Sequence, residues 1–443
     1  MNLATTTASE RSIFGDSPEH WTVDRIRDRL GVIVAGEWGD EPDAHDEGIE
    51  IPVVRVADIR GLDVTTENLT VRRVKESKLP GRLIGKRTLL LEKSGGGEQK
   101  PVGRAVLGRK LTVDAICSNF MAKTDCMLTV APTFVAYLLD AAYSSCINTA
   151  HIQQTTGIQN LRVTDYLNTK VAFPPLAEQE RIAAYLDASC TAINAAVVAK
   201  RRQLETLDAL RKSVTLQAVT QGLNPNVAKR ETEIDWIPRI PAHWKTVKLS
   251  SLFWFQKGAR AAEITQKYIA DSPGEFPVFS GQTEDDGLMG SIDSFEFDFD
   301  SPVIFVTTVG AKAMTTRLVT GKFSISQNCA LIIPWHRKIN LDYFLATIQE
   351  LFDFERRSIA LIMQPSLRFK DMKKFRLPFP PPSEQAVICT YLYEKLGEAK
   401  RIALTIESQI ATLTAYRKSL IHECATGQRR VTENDLKRVQ VHG

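Results

Sequence analysis

Two stretches of the chain carry the same seven-residue rhythm of apolar positions. From Leu186 the stripe runs Cys190, Ile193, Val197, Lys200, Leu204, Leu207, Arg211, Val214 and Ala218, spaced 4-3-4-3. The second runs Leu392, Leu396, Ala399, Ala403, Ile406, Ile410, Leu413, Arg417, Leu420 and Cys424. Such a stripe predicts a long helix that packs against another helix rather than a sheet. Each stripe is preceded by prolines that cannot lie inside a helix, with Glu178, Glu180 and Glu384 supplying negative charge to the first turn. Ser383 is the expected N-cap, and Gly222 and Gly427 stand where a C′ glycine closes a helix. Each helix then spans about 40 residues, or about 60 Å at 1.5 Å per residue. Two such helices in one chain are natural partners, because each layer of a seam buries side chains worth about 1.5–3 kcal/mol apiece before entropy is charged. The alternative is two unrelated core helices. The pairing is antiparallel if a rotation relates the two halves and closes the chain into a ring.

The stripes belong to a longer repeat. Phe173-Pro174-Pro175-Leu176-Ala177-Glu178-Gln179 returns 206 residues later as Phe379-Pro380-Pro381-Pro382-Ser383-Glu384-Gln385. Leu161-Arg162, Asp165, Tyr185-Leu186 and Arg211-Lys212-Ser213 recur at the same offset. The head Pro18-Glu19-His20-Trp21 returns as Pro241-Ala242-His243-Trp244 at offset 223, and Ala115 to Asn119 matches Ser324 to Asn328 at offset 209. The copies therefore differ in the body and keep register in the tail. His20 and His243 recur beside a Trp, which favours packing over catalysis.

Between helices lie two bodies of mixed pattern, each an α+β domain of about 140 residues by the spacing of its boundaries. In the first, Leu89 to Leu91 and Val102 to Leu107 read as strands around Ser94-Gly95-Gly96-Gly97, and Phe134 to Tyr143 as a helix. In the second, Phe295 to Asp300 alternates rings and acids, Pro302 to Val306 reads as a buried strand, and Leu341 to Phe354 as a helix. Pro225, Pro238 and Pro241 mark the boundary between halves.

Composition narrows the class. The chain has 443 residues, 43% apolar and 24% charged, which is ordinary globular usage. Seven scattered Cys, with no C-x-x-C pair, point to a reducing compartment without a structural metal. No secretory signal is expected from the first residues, and the apolar window Met127 to Tyr143 is interrupted by Pro132 and Asp140, so no membrane association and a cytoplasmic location are expected.

Net charge is only +4, yet residues 70 to 110 hold twelve Lys and Arg against three Glu. That is a candidate footprint for phosphates, or an ordinary solvated face. Glu284 to Asp300 carries seven acids and no base. Gly81 to Arg87 is one residue short of a phosphate loop, and Gly95-Gly96-Gly97 does not continue to a dinucleotide fingerprint. Metalloprotease, hydrolase and adenine-methyltransferase motifs are missing as well.

The doubled Pro-Pro-x-x-Glu-Gln helix start, the head Ile240-Pro241-Ala242-His243-Trp244, the stretch Leu89 to Gly97 and the ends Arg211-Lys212-Ser213 and Arg417-Lys418-Ser419 together resemble the DNA specificity subunit of type I restriction-modification systems. The resemblance runs from about Trp21 to Gly427. The copies differ at Leu176-Ala177 against Pro382-Ser383, and at Gly157-Ile158-Gln159 against Met363-Gln364-Pro365.

The resemblance implies an α+β protein with two target recognition domains, each followed by a long helix, the two helices pairing as an antiparallel coiled coil with pseudo-twofold symmetry. The expected layout is a first recognition domain over 1–173, a first spacer helix over 174–222, linker and second recognition domain over 223–379, a second spacer helix over 380–427 and a tail over 428–443. It further implies a non-catalytic subunit that reads a bipartite target in double-stranded DNA and joins two modification subunits and restriction subunits. S-adenosylmethionine, ATP and magnesium belong to those partners, with no cofactor on this chain. Lys93, Arg104, Lys312 and Arg317 are the expected DNA contacts. Glu178, Gln179, Glu384 and Gln385 are the expected partner contacts, or else only helix caps. Two other classes compete: a coiled-coil interaction scaffold without nucleic acid, and a self-contained enzyme, which the missing motifs disfavour.

Overall fold

A computed structural model describes residues 11–42, 48–155, 157–281, 287–310, 312–336, 339–360 and 366–442. Residues 363–365, and 284–286 of the acidic run, lie outside the described residues. The first long helix is Leu176–Gln221, 46 residues, and the second Pro382–Ala425, 44 residues. The sequence expectation for the second start needs correction. Ser383 is not the N-cap, because the helix already includes Pro382. The Pro381 carbonyl accepts the amides of Glu384 and Gln385, as that of Pro175 accepts those of Glu178 and Gln179. Proline at the first helical position loses no hydrogen bond, since that N–H has no intrahelical acceptor.

The chain divides into two compact units. The first takes residues 1–201 and 408–443, the second residues 202–407. Each contains one body and a piece of both long helices. In the first unit Ile182, Ala183, Tyr185, Leu186, Cys190 and Ile193 share a core with Leu420, Ile421, Cys424 and Ala425. In the second, Val214, Ala218 and Val219 share a core with Ile388, Leu392 and Leu396. Within each unit, then, the beginning of one helix meets the end of the other. Every stripe position of the second helix from Leu392 to Cys424 is buried or half-buried. In the first helix the stripe positions from Cys190 to Ala218 are likewise buried or half-buried, except for exposed Arg211.

By length and composition alone, the first long helix contains an 18-residue window apolar enough to cross a membrane, with a mean hydropathy of 1.5. It is not the apolar stretch Met127 to Tyr143 considered from sequence, which Pro132 and Asp140 interrupt. Of the first long helix, Ile182, Ala183, Tyr185, Leu186, Cys190 and Ile193 lie in the first unit's core, and 39% of the window is buried.

The first body is built on a six-stranded sheet with order Val34–Ala35, Met121–Asp125, Thr88–Glu92, Ala105–Leu107, Asp63–Val64, Ile59–Arg60. The helix Pro132–Ser144 contributes Phe134 to Ala142 to its core. The second body has a six-stranded sheet with order Phe253–Gln256, Cys329–Pro334, Phe297–Thr307, Thr316–Ile325, Pro273–Phe279, Leu288–Ile292, and the helix Leu341–Ala360. Within the strand Phe297 is buried and Phe299 half-buried while Asp298 and Asp300 are exposed, as their alternation requires. The expected alternation does not extend back to Phe295, which precedes the strand and is exposed, or to Glu296, which is half-buried.

The two offsets read from the sequence meet in one strand pair per body. Thr22–Arg25 runs antiparallel to Lys170–Phe173 with Thr22 opposite Phe173. Lys245–Lys248 runs antiparallel to Arg376–Phe379 with Lys245 opposite Phe379. The strand that enters each body is thus clasped to the strand that leaves it, in the same register, and any length difference between them is looped out.

Candidate nucleic-acid interface

Each body has a cleft at the same place in its fold. In the first, Ile116–Cys117 lies parallel to Ile49–Val54. In the second, Ser324-Ile325 lies parallel to Val278-Phe279. Beyond each pair a tight turn follows. The Ser118 amide donates to the Val54 carbonyl (2.9 Å), and the Met121 amide to the Ser118 carbonyl (2.9 Å). The Ser326 amide donates to the Phe279 carbonyl (2.8 Å), and the Cys329 amide to the Ser326 carbonyl (3.2 Å). The Lys93 amide reaches the Phe120 carbonyl (2.9 Å), as the Thr308 amide reaches that of Asn328 (2.7 Å). Finally the Leu161 amide donates to the Lys93 carbonyl, and the Leu367 amide to the Thr308 carbonyl, both at 2.8 Å. Four backbone bonds recur, so the turn is a rigid frame held from both sides.

This frame corrects one sequence match. It sets Ser118 on Ser326 and Asn119 on Gln327, one residue out of step with the alignment of Asn119 on Asn328. It also brings out a match that the sequence analysis missed, since Leu89 to Gly95 corresponds to Ile304 to Gly310. The two share strand chemistry but only the final glycine in identity. Gly95 has φ +113° and Gly310 φ +112°, backbone that only glycine adopts freely, so the turn forces the residue type.

The first cleft has a volume of about 340 Å³ and is lined by Trp38, Arg55, Ser94, Asn119 and Phe120 among others. Arg55 is held in place by buried Asp58, which accepts from its Nη2 (3.0 Å) and Nε (3.2 Å); these hydrogen bonds raise the guanidinium's pKa further. Trp38 carries the Arg72 guanidinium over its ring at 4.7 Å. The second cleft, about 480 Å³, is lined by Thr265, Gln266, Ser280, Gln327 and Asn328 with Ile264, Met289 and Val309. One cleft is aromatic and cationic, the other holds neutral amides and hydroxyls. Arg, Asn, Gln, Ser and Thr are the side chains that address base edges in the major groove.

The predicted site residues fall unevenly. Lys93 is half-buried and belongs to the frame itself. Lys312 is exposed, in the turn after Gly310. Arg317 sits inside the second body's sheet, its guanidinium 4.6 Å from the Phe279 ring and 4.4 Å from that of Phe305. Arg104 is tied to a buried acid, its Nε donating to Glu92 at 2.9 Å. Glu92 is 1% exposed, and this hydrogen bond raises the pKa of Arg104. In the second body the corresponding positions are Thr307 and Thr315, joined by a backbone-to-hydroxyl bond of 3.1 Å.

Of the twelve cations in residues 70–110, six are engaged in ion pairs, Arg104 among them. Arg73 pairs with Glu50, Lys78 with Glu37, Lys110 with Asp63, and Arg109 with Asp63 and Asp187; Arg72 pairs with Glu41. All five acids lie outside residues 70–110, so the local count misjudged the charge. Lys75, Lys86, Lys93 and Lys100 make no ion pair among the described residues.

At the helix starts the four expected partner contacts separate into two kinds. Gln179 and Gln385 are 2% and 3% exposed. Gln179 donates to the Pro174 carbonyl and accepts from the Ala131 amide, and Gln385 donates to the Pro380 carbonyl. They are internal clamps and offer no docking surface. Glu178 bonds His20 at 2.8 Å, and Glu384 bonds His243 at 2.6 Å and the Trp244 indole at 2.9 Å. The recurring His therefore ties each head to the helix that follows its body.

The far side of each head abuts a helix end. A Cβ on Gly427 would fall 2.5 Å from Pro18 and 3.2 Å from Trp21, and one on Gly222 would fall 3.1 Å from Trp244. Among the described residues no cluster of His, Cys, Asp and Glu could hold a metal ion.

Comparison with known proteins agrees in sequence and in fold. Residues 241–412 match the family described as type I restriction modification DNA specificity domain. Two Mycoplasma pneumoniae proteins named as type I specificity subunits are each 31% identical; the first match takes in 51% of this chain and 83% of that protein, the second 51% and 80%. A further relative from that organism is 35% identical over 31% of this chain, and the chain spans 44% of its length. The MjaX specificity subunit of Methanocaldococcus jannaschii is 21% identical over 95% of this chain and 96% of its own. Among solved structures, a chain from a type I restriction-modification system study superposes with a TM-score of 0.70 at 15% identity, covering 94% of this chain and all of that one. The HsdS subunit of Thermoanaerobacter tengcongensis gives 0.52, also at 15% identity, over 94% and 98%. These two likenesses concern the fold.

Proposed function

Because the chain belongs to the family of type I restriction-modification DNA specificity subunits, we propose that it is the non-catalytic, sequence-reading member of such an enzyme. Each body reads one short half of a bipartite duplex target through major-groove base edges. The long helices, paired antiparallel as a coiled coil with pseudo-twofold symmetry, set the spacing between the halves. At about 1.5 Å per residue the first helix is about 69 Å long, which exceeds the 34–36 Å of one DNA turn. Phosphates are met by Lys93 in the first body and Lys312 in the second, giving position without sequence information.

The observation that carries this reading is the recurrence of one cleft frame in both bodies with different side chains lining it. A common scaffold with exchanged contents is what two readers of unlike sequences require. A coiled-coil scaffold that never meets nucleic acid has no use for it.

Two modification subunits, which bring S-adenosylmethionine, dock near Glu178 and Glu384 at the two equivalent helix starts. Restriction subunits bring ATP and magnesium. The assembly works in the cytoplasm, where the DNA is. The test is an electrophoretic shift of the full chain co-purified with its modification subunits, using duplexes selected from a random pool. A retained pool that converges on two short sequences at fixed spacing supports the proposal. Failure to retain any duplex at low salt contradicts it and favours the scaffold reading.

A further inference from the structure

Resting on the DNA-reading function proposed above, the geometry points to a more specific assignment: we infer that Asn119 and Gln327 are equivalent base-reading side chains, one for each half of the target. Both occupy the second position of the recurring turn, Ser118 to Met121 and Ser326 to Cys329. Both are exposed and line their clefts. Among the described residues neither side-chain amide makes a hydrogen bond, although the backbone on either side is held by hydrogen bonds. The Ser118 amide and the Phe120 carbonyl are bonded, as are the Ser326 amide and the Asn328 carbonyl.

A rigid backbone that displays an unengaged amide suits bidentate recognition. The amide offers one acceptor and two donors, and its fixed base means little ordering cost when it meets a complementary edge. Asn and Gln pair in this manner with adenine, donating to N7 and accepting from N6. Gln327 reaches one methylene further than Asn119 from the same frame, so the two bodies address their adenines at different depth. The neighbouring position sharpens the contrast. Phe120 supplies an apolar face suited to a thymine methyl, whereas Asn328 supplies a second amide. The two halves of the target are thus expected to differ at adjoining positions, although the protein repeats its backbone.

The experiment uses the full chain expressed with its modification subunits in a host whose methylated sites are then mapped. Wild type, Asn119→Ala and Gln327→Ala are compared, with thermal melting of each purified complex as the check on folding. Asn119→Ala is expected to relax one position in one half-site, by roughly 5- to 140-fold in discrimination, with the other half and the spacer unchanged. Gln327→Ala is expected to relax one position in the opposite half. Both variants methylating the wild-type target with undiminished discrimination would overturn the assignment while leaving the general function standing. A wild-type protein that directs no bipartite methylation would overturn the function itself, and the assignment with it.

Discussion

Replacing Gly427 by Ala attacks the joint between the first body's head and the end of the second long helix. Gly427 has φ +85°, where an L-residue costs about 1–2 kcal/mol. Its new Cβ would lie 2.5 Å from the Pro18 ring and 3.2 Å from the Trp21 indole. Both neighbours are rigid, and Trp21 is buried in the first unit's core. Forcing them aside costs about a further 1–3 kcal/mol. The sum of about 2–5 kcal/mol corresponds to a fall of about 4–20 °C in the melting temperature of a unit this size. Calorimetry should show the transition of the first unit moving down while the second unit's moves less. The control is Gly397→Ala, in an exposed stretch of the second helix with no atom within 4 Å of the added methyl. It should raise stability by about 0.5–1 kcal/mol, because only the unfolded chain's freedom changes. A Gly427→Ala protein that melts at or above the wild-type temperature would refute the joint as described.

Other consequences are as direct. Arg104→Ala leaves the buried Glu92 carboxylate without its partner and should cost about 3–5 kcal/mol. The double replacement Glu92→Thr with Arg104→Thr, which copies Thr307 and Thr315, should recover most of that loss in urea unfolding; a double variant no more stable than the single one would contradict the equivalence. Glu350 is pushed up to about 7, first by burial and then by Asp353. In the pH window from its ordinary carboxylate range up to about 7, the native state holds a proton that the unfolded chain has released, so this group makes the second unit less stable as pH rises. Glu350→Gln should therefore raise the melting temperature most at pH 8, with the gain shrinking toward pH 5. An equal gain at both pH values would show that burial of charge is not the cause.

Much of this architecture was legible from sequence because it rests on periodicity and proline. Heptad positions such as Leu392, Ala399 and Ile406 are buried because geometry leaves them no other place. The doubled Pro-Pro marked both helix starts within a residue or two. The cleft was harder to see. Its frame is built from backbone hydrogen bonds, which constrain side chains weakly, so Leu89 to Gly95 and Ile304 to Gly310 diverged in all but glycine. The charge count failed for a different reason. Glu37, Glu41 and Glu50 neutralise Arg and Lys distant in sequence, and a window of residues cannot register partners that only folding supplies. Gln179 and Gln385 looked like surface residues by type, yet a glutamine amide can satisfy the carbonyl that a proline pair leaves exposed to the core.

The spacing claim is tested most directly by removing one heptad from each long helix together, residues 201–207 and 401–407, and mapping methylated sites in a host expressing the shortened chain with its modification subunits. Seven residues are about 10.5 Å of helix, about three base pairs of duplex at 3.4 Å each. Both half-sites should stay unchanged while the spacer shortens by about three base pairs; a folded, active variant that keeps the original spacer would refute the helical ruler.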